Sequence, residues 1–537
     1  MRVSDFFCGA GGFSEGFRQA GFEICFAVDK WEPAINTYAG NKPGVNVIQD
    51  DVIRISQLND EEFEQLVPDT EVIIGSPPCQ AFSSSNKSGN GDKSLGIQLI
   101  EAYLRIIARK RFKYGSILKY WVLENVPNVK NYIKESYSAE DLGLPGNFVL
   151  FPNGQNSGLY NAKYFGAPTN RERYLCGEFP CPQKTHDDES AITLRKVLTS
   201  LREPLSKCHD PITDLNYPEL ILPNEEISDH HYIYELQPFE WEKAKRLKQD
   251  KGYMGRMAFP ENLDRPSRTV MANMSASSRE SMILGYGNNQ YRLPTVREVA
   301  TMMSFPIDYR FYGPSKGVKY TLVGNSVPPK LSYAIAIAIL RAEHEPIPVG
   351  YPKIVYNNDI PFINLNHVVI PPNVEKPKRE VAKFKYHIPY LIINAFRVEL
   401  TNYYSDFDHC MFKWNVELHY SQGKDKAKIY YPTIDANIIE DEVLREIDQW
   451  IDNINNFIPN FQQFQKVFCM TTIERNRQTF WGPYQLLNEV RALLDRILSD
   501  TEKKTIVGIK SEPHSLPYAI AIGYYILEKI IKSMEGK

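Results

Sequence analysis

A cysteine in a proline-containing turn is the residue of this chain best suited to covalent chemistry. The segment Gly75–Gln80 reads Gly-Ser-Pro-Pro-Cys-Gln and follows the apolar run Val72–Ile74. A rigidly held thiol loses little entropy on attack, and nearby positive charge or helix-end amides can lower its pKa from roughly 8.5. Cys79 is therefore a candidate nucleophile. It could instead be an inert core thiol, because free cysteine is among the most buried residue types.

A glycine-rich turn and two aspartates follow three successive predicted strands. The turn, Phe7–Gly12, opens a helical pattern, and glycines there let the backbone approach a ligand while the helix N-terminus favours a carboxylate. Asp29 ends the second strand, where it can accept hydrogen bonds from ribose hydroxyls. Asp51 follows the third strand and could accept the exocyclic amine of adenine. The turn alone could be only a tight turn, but the three features together indicate a nucleoside-type cofactor.

The elements that must position these residues alternate short apolar strands with helical or loop segments, which predicts a parallel sheet. We predict strands at Val3–Phe7, Glu23–Val28, Val45–Ile48, Glu71–Ile74 and Trp121–Leu123, and a crossover helix over Ser94–Arg111. Glu124 ends the fifth strand, so it and Cys79 share the edge at which open α/β folds bind ligands. Arg171 and Arg173 share one face of an extended segment, although an isolated pair of this kind is also typical of a solvated strand.

Composition limits the remaining possibilities. The 537 residues are 43% hydrophobic and 24% charged, which is typical of a globular protein of two to four domains. A net charge of -3 argues against a generally basic nucleic-acid-coating protein but permits a local basic cleft. Without an apolar stretch of ~18 residues we expect no membrane role, and eight cysteines without a disulfide framework predict a reducing, cytoplasmic setting. The cysteine and histidine spacings predict no metal site.

Six motifs, in this order along about residues 1–343, resemble those of the cytosine-C5 DNA methyltransferases. They are the glycine turn, the Pro-Pro-Cys-Gln loop, Glu124-Asn125-Val126, the Arg-x-Arg segment, Arg297-Glu298 before Ser304-Phe305-Pro306, and Val323–Pro329. The resemblance implies an α/β, Rossmann-like fold of the S-adenosylmethionine-dependent methyltransferases. That fold would carry a small target-recognition domain and, in this chain, an additional α+β C-terminal domain.

The resemblance also implies roles for individual residues. Cys79, as thiolate, would add to C6 of a cytosine that is flipped out of the duplex, and Glu124 would meet the N3 edge of the base. Arg171 would position the base carbonyl and Arg173 the loop that holds Cys79. The implied S-adenosyl-L-methionine site consists of Phe7, Gly9, Gly11, Gly12, Asp29, Asp51, Val52, Pro78, Asn325 and Val327. Thr169 stands where the family often has Gln.

The domain prediction follows from the motifs and from changes in composition. Residues 1–184 form the catalytic and cofactor-binding domain, completed by 291–343, and 185–290 form the target-recognition domain. Residues 344–382 form a proline-rich linker, and 383–537 form an accessory α+β domain of unknown role with strands that include Tyr390–Ile393. Lysines and an arginine of the recognition segment are suited to phosphates: Lys243, Lys245, Arg246, Lys248 and Lys251.

The sequence therefore predicts a sequence-specific DNA (cytosine-5-)-methyltransferase, either of a restriction-modification system or as a phage- or host-encoded solitary enzyme. Its partner would be double-stranded DNA, and a cognate restriction endonuclease would act on the same site without a stable complex. We expect a monomer. The alternatives are a tRNA cytosine-5 methyltransferase with the same chemistry and a non-catalytic DNA-binding protein of the same fold.

Overall fold

The structure, a computed structural model, describes residues 1–78, 82, 93–249, 256–421 and 428–535. The predicted nucleophile Cys79 and the predicted phosphate ligand Lys251 lie outside the described residues. The chain divides into two compact units, Met1–Leu236 with Pro260–Pro372, and Gln237–Phe259 with Asn373–Lys537. The first unit thus includes most of the predicted linker, and the second takes a segment from the predicted recognition domain.

The described helices are α1 Gly12–Gln19, α2 Glu32–Asn41, α3 Val52–Ser56, α4 Asp60–Leu66, α5 Ser94–Arg111, α6 Leu194–Leu201, α7 Pro238–Gln249, α8 Val296–Met302, α9 Lys316–Asn325, α10 Pro329–Ala342, α11 Asp441–Ile454, α12 Phe461–Cys469, α13 Thr472–Asn476, α14 Pro483–Ile497 and α15 Tyr518–Glu535. Short 3-10 helices cover Pro127–Asn131, Ala162–Phe165, Asn224–Glu226, Ala436–Ile438 and Glu502–Lys504. The predicted crossover helix over Ser94–Arg111 is confirmed as α5.

A seven-stranded sheet forms the centre of the first unit. Its strands are β1 Arg2–Phe6, β2 Glu23–Asp29, β3 Asn46–Gln49, β4 Val72–Gly75, β5 Tyr120–Asn125, β6 Gly158–Asn161 and β7 Glu172–Glu178. The spatial order is β3-β2-β1-β4-β5-β7-β6, in which the first five strands are parallel and β7 runs antiparallel to both β5 and β6. The five predicted strands and the Rossmann-like fold class are confirmed, and β7 begins within the Arg-x-Arg segment and includes Arg173.

Helices α1 and α10 pack closely against each other. A Cβ added to Gly16 of α1 would lie 2.1 Å from Ser332 Oγ and 2.3 Å from the Tyr333 nitrogen of α10. Only glycine permits this approach, because contacts below 3 Å to backbone cannot be relieved by a small shift. Most apolar residues of α10 are buried, among them Ile335 and Ile339. The packing brings the segment before α10 onto the glycine turn.

Short strand pairs complete the first unit. They are Tyr137–Ser138 with Val149–Leu150, Ile212–Thr213 with Ile221–Leu222, Thr169–Asn170 with Ser267–Arg268, and the three strands Tyr234–Glu235, Tyr291–Leu293 and Leu284–Gly285. Thr169–Asn170 pairs in parallel with Ser267–Arg268. A segment predicted to recognise DNA therefore adjoins the chain just before Arg171.

The proline-rich segment up to residue 372 is bonded to the first unit. Asp308 accepts a hydrogen bond from the Tyr351 hydroxyl at 2.9 Å, and buried Asp229 accepts one from the Leu365 amide at 3.0 Å. Arg18 of α1 donates to the Pro352 carbonyl at 2.9 Å. These hydrogen bonds hold the proline-rich segment in place. The segment cannot be held by regular secondary structure, because proline lacks the backbone N–H that a helix or sheet would need.

The second unit is α+β, as predicted. Its antiparallel sheet consists of β8 Lys385–His387, β9 Phe396–Thr401, β10 Asn415–Tyr420 and β11 Lys428–Tyr430, in that order. Helices α11, α12, α14 and α15 contribute to its hydrophobic core around fully buried Trp414. A pair Ile506–Gly508 with Ser515–Pro517 lies outside that sheet. The predicted strand at Tyr390–Ile393 is wrong, because Tyr390 has a left-handed φ of 59° and the chain turns there before β9.

No helix in the described part of the chain combines the length and the apolar character that crossing a bilayer requires.

Candidate active site

The predicted site residues that follow the parallel strands lie at the carboxyl edge of the large sheet. The glycine turn follows β1, Asp29 ends β2, and Asp51 follows β3. Pro77 follows β4, and Glu124 is the residue before the last in β5. Because β1 to β5 are parallel, these ends share one edge of the sheet, which is where open α/β folds bind ligands.

The glycine turn is fixed by Asp29. The Asp29 carboxylate accepts hydrogen bonds from the Gly9 and Trp31 amides, both at 2.9 Å. Gly9 has a φ of 52°, a left-handed conformation that favours glycine, and a Cβ added there would meet no atom within 4 Å. The backbone of Gly9 therefore faces open space beside an acidic side chain. Phe7, at a φ of 55°, is buried under the same turn.

The two aspartates differ in their electrostatics. Burial raises the pKa of Asp29, although the amides of Trp31 and Gly9 oppose this by stabilising the carboxylate. Asp51 caps α3 by accepting the Ile53 amide at 2.9 Å, and Lys30 donates to its other oxygen at 2.9 Å. The slight burial of Asp51 acts to raise its pKa. The hydrogen bonds from Lys30 and from the Ile53 amide outweigh that effect, so the pKa of Asp51 is lowered. Val52 is buried directly behind it.

The remaining glycines of the turn serve close packing in this structure. A Cβ on Gly12 would lie 2.3 Å from the Val327 carbonyl oxygen, and one on Gly11 would lie 2.9 Å from the Tyr309 hydroxyl. Val327 is buried against the turn, and Asn325 is exposed at the end of α9. The structure thus brings the last of the six motifs to the first, as the resemblance implies for a cofactor pocket made from both.

Glu124 is a buried carboxyl group between two arginines. Its side chain is 7% exposed, and Arg173 Nε lies 3.1 Å from Glu124 Oε1. Burial raises the pKa of Glu124, and the charges of Arg173 and Arg171 oppose the rise. Such a group can carry a proton at a higher pH than an exposed glutamate and still be held as an ion pair after losing it. Glu124 and Arg173 come together because β5 and β7 are neighbours.

Arg171 is buried and bonded to main-chain oxygens. Its guanidinium donates to the Val270 and Ser326 carbonyls, both at 3.1 Å. It therefore joins the segment after Ser267–Arg268 to the residue between Asn325 and Val327. Its predicted role toward the base stays a prediction. In this structure it acts on Glu124 through its charge and on the neighbouring segments through hydrogen bonds.

Two asparagines hold the chain on either side of the predicted nucleophile. Asn125 Nδ2 donates to the Pro77 carbonyl at 2.9 Å, and Asn125 Oδ1 accepts the amide of the following residue at 2.8 Å. Asn128 Nδ2 donates to the Phe82 carbonyl at 3.2 Å. Pro78 is exposed. The sequence motif contained Asn125 but gave it no role, because an amide-to-backbone bond leaves no spacing signal.

A buried polar network lies beneath the glycine turn, and sequence reasoning missed it. Lys42 Nζ lies 2.9 Å from the Tyr309 hydroxyl and 3.4 Å from Glu15, and Tyr309 donates to the Ala10 carbonyl. Asp5 of β1 is also buried, and burial raises its pKa to about 7. A single charged residue carries no signal of this kind in the sequence, since most charged residues are solvated.

Thr169 fits the short strand pair in which it lies. It is fully buried, and its hydroxyl donates to the Arg268 carbonyl at 3.1 Å. A compact side chain suffices for this bond. The departure from the family's usual Gln is thus accommodated by local packing.

The described members of the basic set predicted to contact phosphates lie on α7, which belongs to the second unit. Lys243 and Lys245 are exposed, and Arg246 lies over the rings of two tyrosines, 5.1 Å from Tyr386 and 4.2 Å from Tyr484. Lys248 is fully buried, which contradicts its predicted contact with phosphate, because its ammonium does not reach the surface.

The paired histidines of the predicted recognition segment are buried, and each of their ring nitrogens has a polar partner. His230 ring nitrogens lie 3.2 Å from Thr295 Oγ1 and 2.9 Å from the Leu201 carbonyl. Those of His231 lie 3.0 Å from the Pro204 carbonyl and 2.7 Å from the Asn224 carbonyl. Burial lowers the pKa of His230 to about 4, so it is neutral at physiological pH.

The sheet and the edge described above define the first unit as a Rossmann-like methyltransferase. The family model of C-5 cytosine-specific DNA methylases matches residues 1–341, so the chain belongs to that family and is a DNA (cytosine-5-)-methyltransferase, as the motifs predicted.

Curated relatives agree with this assignment. The chain is 29% identical over 356 residues to the type II methyltransferase M.HindV of Haemophilus influenzae, covering 65% of this chain and 99% of the relative. It is 26% identical over 368 residues to M.MthTI of Methanothermobacter thermautotrophicus, covering 64% and 97%. The solved Dnmt2 methyltransferase of S. pombe aligns with a TM-score of 0.43 at 18% identity, covering 64% of this chain and 99% of that one.

Proposed function

We propose that this enzyme methylates C5 of one cytosine within a specific duplex DNA sequence, with S-adenosyl-L-methionine as methyl donor and a covalent bond between Cys79 and C6 of the flipped-out base. The observation that supports this best is the buried Glu124, paired with Arg173 at 3.1 Å and followed directly by Asn125. Asn125 in turn holds the Pro77 carbonyl two residues before Cys79.

The chemistry requires activation of the base, because C5 of cytosine is a poor nucleophile. Attack of the Cys79 thiolate forms the S–C6 bond, and the displaced π electrons pass through C5 and C4 to N3, which takes a proton from Glu124. The resulting enamine is nucleophilic at C5. When bound, S-adenosyl-L-methionine supplies the electrophilic methyl group that C5 takes. Loss of the C5 proton to water then restores the C5–C6 double bond and expels Cys79 as thiolate, and N3 returns its proton to the Glu124 carboxylate, so that the neutral base and the starting form of the enzyme are restored.

The environment of Glu124 suits this proton transfer. Burial raises its pKa and so favours the protonated form that can donate to N3. After the transfer, Arg173 and Arg171 stabilise the carboxylate that remains. Asn125 and Asn128 bond to the Pro77 and Phe82 carbonyls, before and after Cys79 in the chain. Such bonds would reduce the entropic cost of placing the thiol against C6.

The glycine turn fits a nucleoside-type methyl donor. The Gly9 backbone borders open space beside the Asp29 carboxylate. A side chain at position 9 would project into that space. We propose that Asp29 binds the ribose and that Asp51 and Val52 bind the adenine. The residues that would hold the methionine and ribose portions are Phe7, Gly9, Gly11, Gly12, Pro78, Asn325 and Val327.

The biological setting is part of the same proposal. The curated relatives carry names of type II methyltransferases, which favours the modification enzyme of a restriction system and a cognate endonuclease that acts on the same sequence. We propose that residues 185–290 read that sequence, and that the enzyme acts as a monomer in the cytoplasm. The pairing of Ser267–Arg268 with Thr169–Asn170 would couple a recognition segment to the Arg-x-Arg strand.

Bisulfite sequencing of DNA from cells that express the protein tests the proposal. We expect protected cytosines at one position of one recurring sequence, and none with an expression vector that lacks the gene. In parallel, labelled S-adenosyl-L-methionine is incubated with the protein and either duplex DNA or tRNA. Label that enters tRNA and not DNA would favour the alternative substrate, and label in neither would support the non-catalytic alternative.

A further inference from the structure

A cluster of polar side chains is buried in the second unit, on the sheet face opposite its hydrophobic core. Glu399 of β9 and Glu417 of β10 are directly opposite each other in the antiparallel register, and His419 follows two residues later on the same face. The alternate residues of these strands, Val398 and Leu418, are fully buried in the core. The pleat therefore directs the polar set to the other face.

The three side chains present their ligand atoms to one point. One atom each from Glu399, Glu417 and His419 lie within 4.8 Å of one another, and all three residues are more than nine-tenths buried. His419 Nε2 lies 2.7 Å from Glu417 Oε2 and 3.2 Å from Glu399 Oε2. Two carboxylates and one imidazole within this distance form a set that matches three-ligand metal sites.

In this structure the negative charges of the two carboxylates are paired with positively charged side chains. Lys385 Nζ lies 2.7 Å from Glu417 Oε2 and 3.6 Å from Glu399 Oε2, and Arg397 donates to the other oxygen of Glu399. Lys385 and Arg397 are 28% and 24% exposed, so their flexible chains can swing toward solvent. Glu399, Glu417 and His419 are held by the sheet and cannot separate in the same way.

Two further groups on this face are incompletely bonded. His419 Nδ1 has no hydrogen-bond partner among the described residues, and neither does the buried Oδ1 of Asn415, two residues before Glu417 on the same strand. A buried polar atom without a partner costs about 1–3 kcal/mol in general. The face is thus less fully satisfied than a network kept only for stability would be.

We propose that Glu399, Glu417 and His419 bind a divalent transition-metal cation in the second unit, independently of methyl transfer. Mixed nitrogen and carboxylate ligands favour Mn²⁺ or Zn²⁺ over Mg²⁺ and Ca²⁺, which prefer oxygen alone. Lys385 is the competitor that the incoming cation displaces. Tyr404 and Tyr431, both about half exposed and bonded to Glu417 Oε1, border the route from the surface. No sequence motif predicted this site, since its ligands meet through strand register.

Mn²⁺ binding to the full-length protein tests the proposal. Mn²⁺ is the better probe, because the eight cysteines of the chain would also take up Zn²⁺. Loss of the free-ion signal in electron paramagnetic resonance should show one Mn²⁺ per chain, and E417Q should abolish it. The matched control is D406N, which removes a carboxylate bonded to His409 at an exposed position and should leave binding unchanged.

A second variant separates a cation site from a purely structural ion network. K385M removes the competing ammonium, so Mn²⁺ should bind about tenfold more tightly than to wild type, and added Mn²⁺ should raise the Tm of K385M more than that of wild type. Absence of Mn²⁺ binding by wild type at about 1 mM, in the weak range for protein sites, would overturn the proposal. Binding by K385M alone would also overturn it, because Lys385 would then be the cluster's own cation.

Discussion

The two units place buried carboxyl groups in different ways. In the first, Glu124 ends a strand and is paired with an arginine of the neighbouring strand, at an edge where other strand ends supply partners. In the second, Glu399 and Glu417 meet in the middle of two antiparallel strands. A site at the ends of parallel strands produces motifs in chain order, whereas a site across antiparallel strands depends on register. Only the first kind can be recognised from the sequence.

Replacing Cys79 with Ala should have the largest effect. Methyl transfer to DNA should be lost by several orders of magnitude, as for removal of a catalytic nucleophile, while S-adenosyl-L-methionine binding and Mn²⁺ binding by the second unit are unchanged. Single-turnover transfer of labelled methyl measures the methyl transfer, and calorimetry measures S-adenosyl-L-methionine binding. The exposed Cys181, changed to Ser, is the matched control and should retain activity. Full activity of C79A would contradict the covalent mechanism.

Glu124→Gln should lower kcat by about 10²–10⁴, since general-acid groups contribute on this scale. Gln keeps the shape of the side chain but cannot donate the acidic proton. Because burial raises the pKa of Glu124, wild-type activity should fall as pH rises through that value, and E124Q should lack this limb of the profile. The control is Glu172→Gln, an exposed glutamate of β7. An unchanged pH profile in E124Q would assign the titration to another group.

Trp414→Ala should destabilise the second unit by about 3–5 kcal/mol, the usual cost of removing a large buried aromatic side chain. Trp414 is fully buried among Phe384, Phe464 and Phe468. If the units unfold separately, calorimetry should show one transition shifted to lower temperature and one unchanged, with S-adenosyl-L-methionine binding preserved. A single shifted transition would show that the two units unfold together.

Asp5→Asn should have the smallest effect, confined to the pH dependence of stability. Burial raises the pKa of Asp5 from 3.8 to about 7. The unfolded chain therefore ionises first, and wild type loses stability as pH rises from about 4 to about 7, by no more than about 4 kcal/mol. The Tm of D5N relative to wild type should be higher at pH 8 than at pH 5. The control is the same substitution at Asp60, whose side chain is 89% exposed.

The strands of the large sheet could be predicted because each is a short apolar run between polar turns, and α5 because its apolar residues recur at helical spacing. The false strand at Tyr390–Ile393 shows the limit of this reasoning. Its apolar and aromatic composition fits a strand, but left-handed conformations at Tyr390, Asn394 and Ala395 turn the chain there. A single sequence does not reveal such turns when no glycine marks them.

For the site, the sequence predicted the residues at strand ends and missed those that support them. Asn125 bonds to a main-chain carbonyl, which any residue supplies, and Lys42 bonds to the hydroxyl of a tyrosine far along the chain, so neither bond has a distinctive spacing in the sequence. Lys248 was misassigned for a related reason. Its place in a lysine-rich stretch indicates a solvated surface, and only the packing of α7 in the second unit buries it.

The close packing of Gly16 against Ser332 and Tyr333 also has a consequence for protein synthesis. The helix that follows the first strand leaves the ribosome early, but its partner α10 emerges only after Tyr333 has been added. At roughly 5–20 residues per second, the interval is on the order of tens of seconds. During that time α1 lacks its principal neighbour and the glycine turn lacks the Val327 segment. The nascent chain therefore cannot complete the proposed cofactor pocket until nearly two thirds of the protein has been translated, and a product terminated before that point would lack the contact between the glycine turn and the Val327 segment.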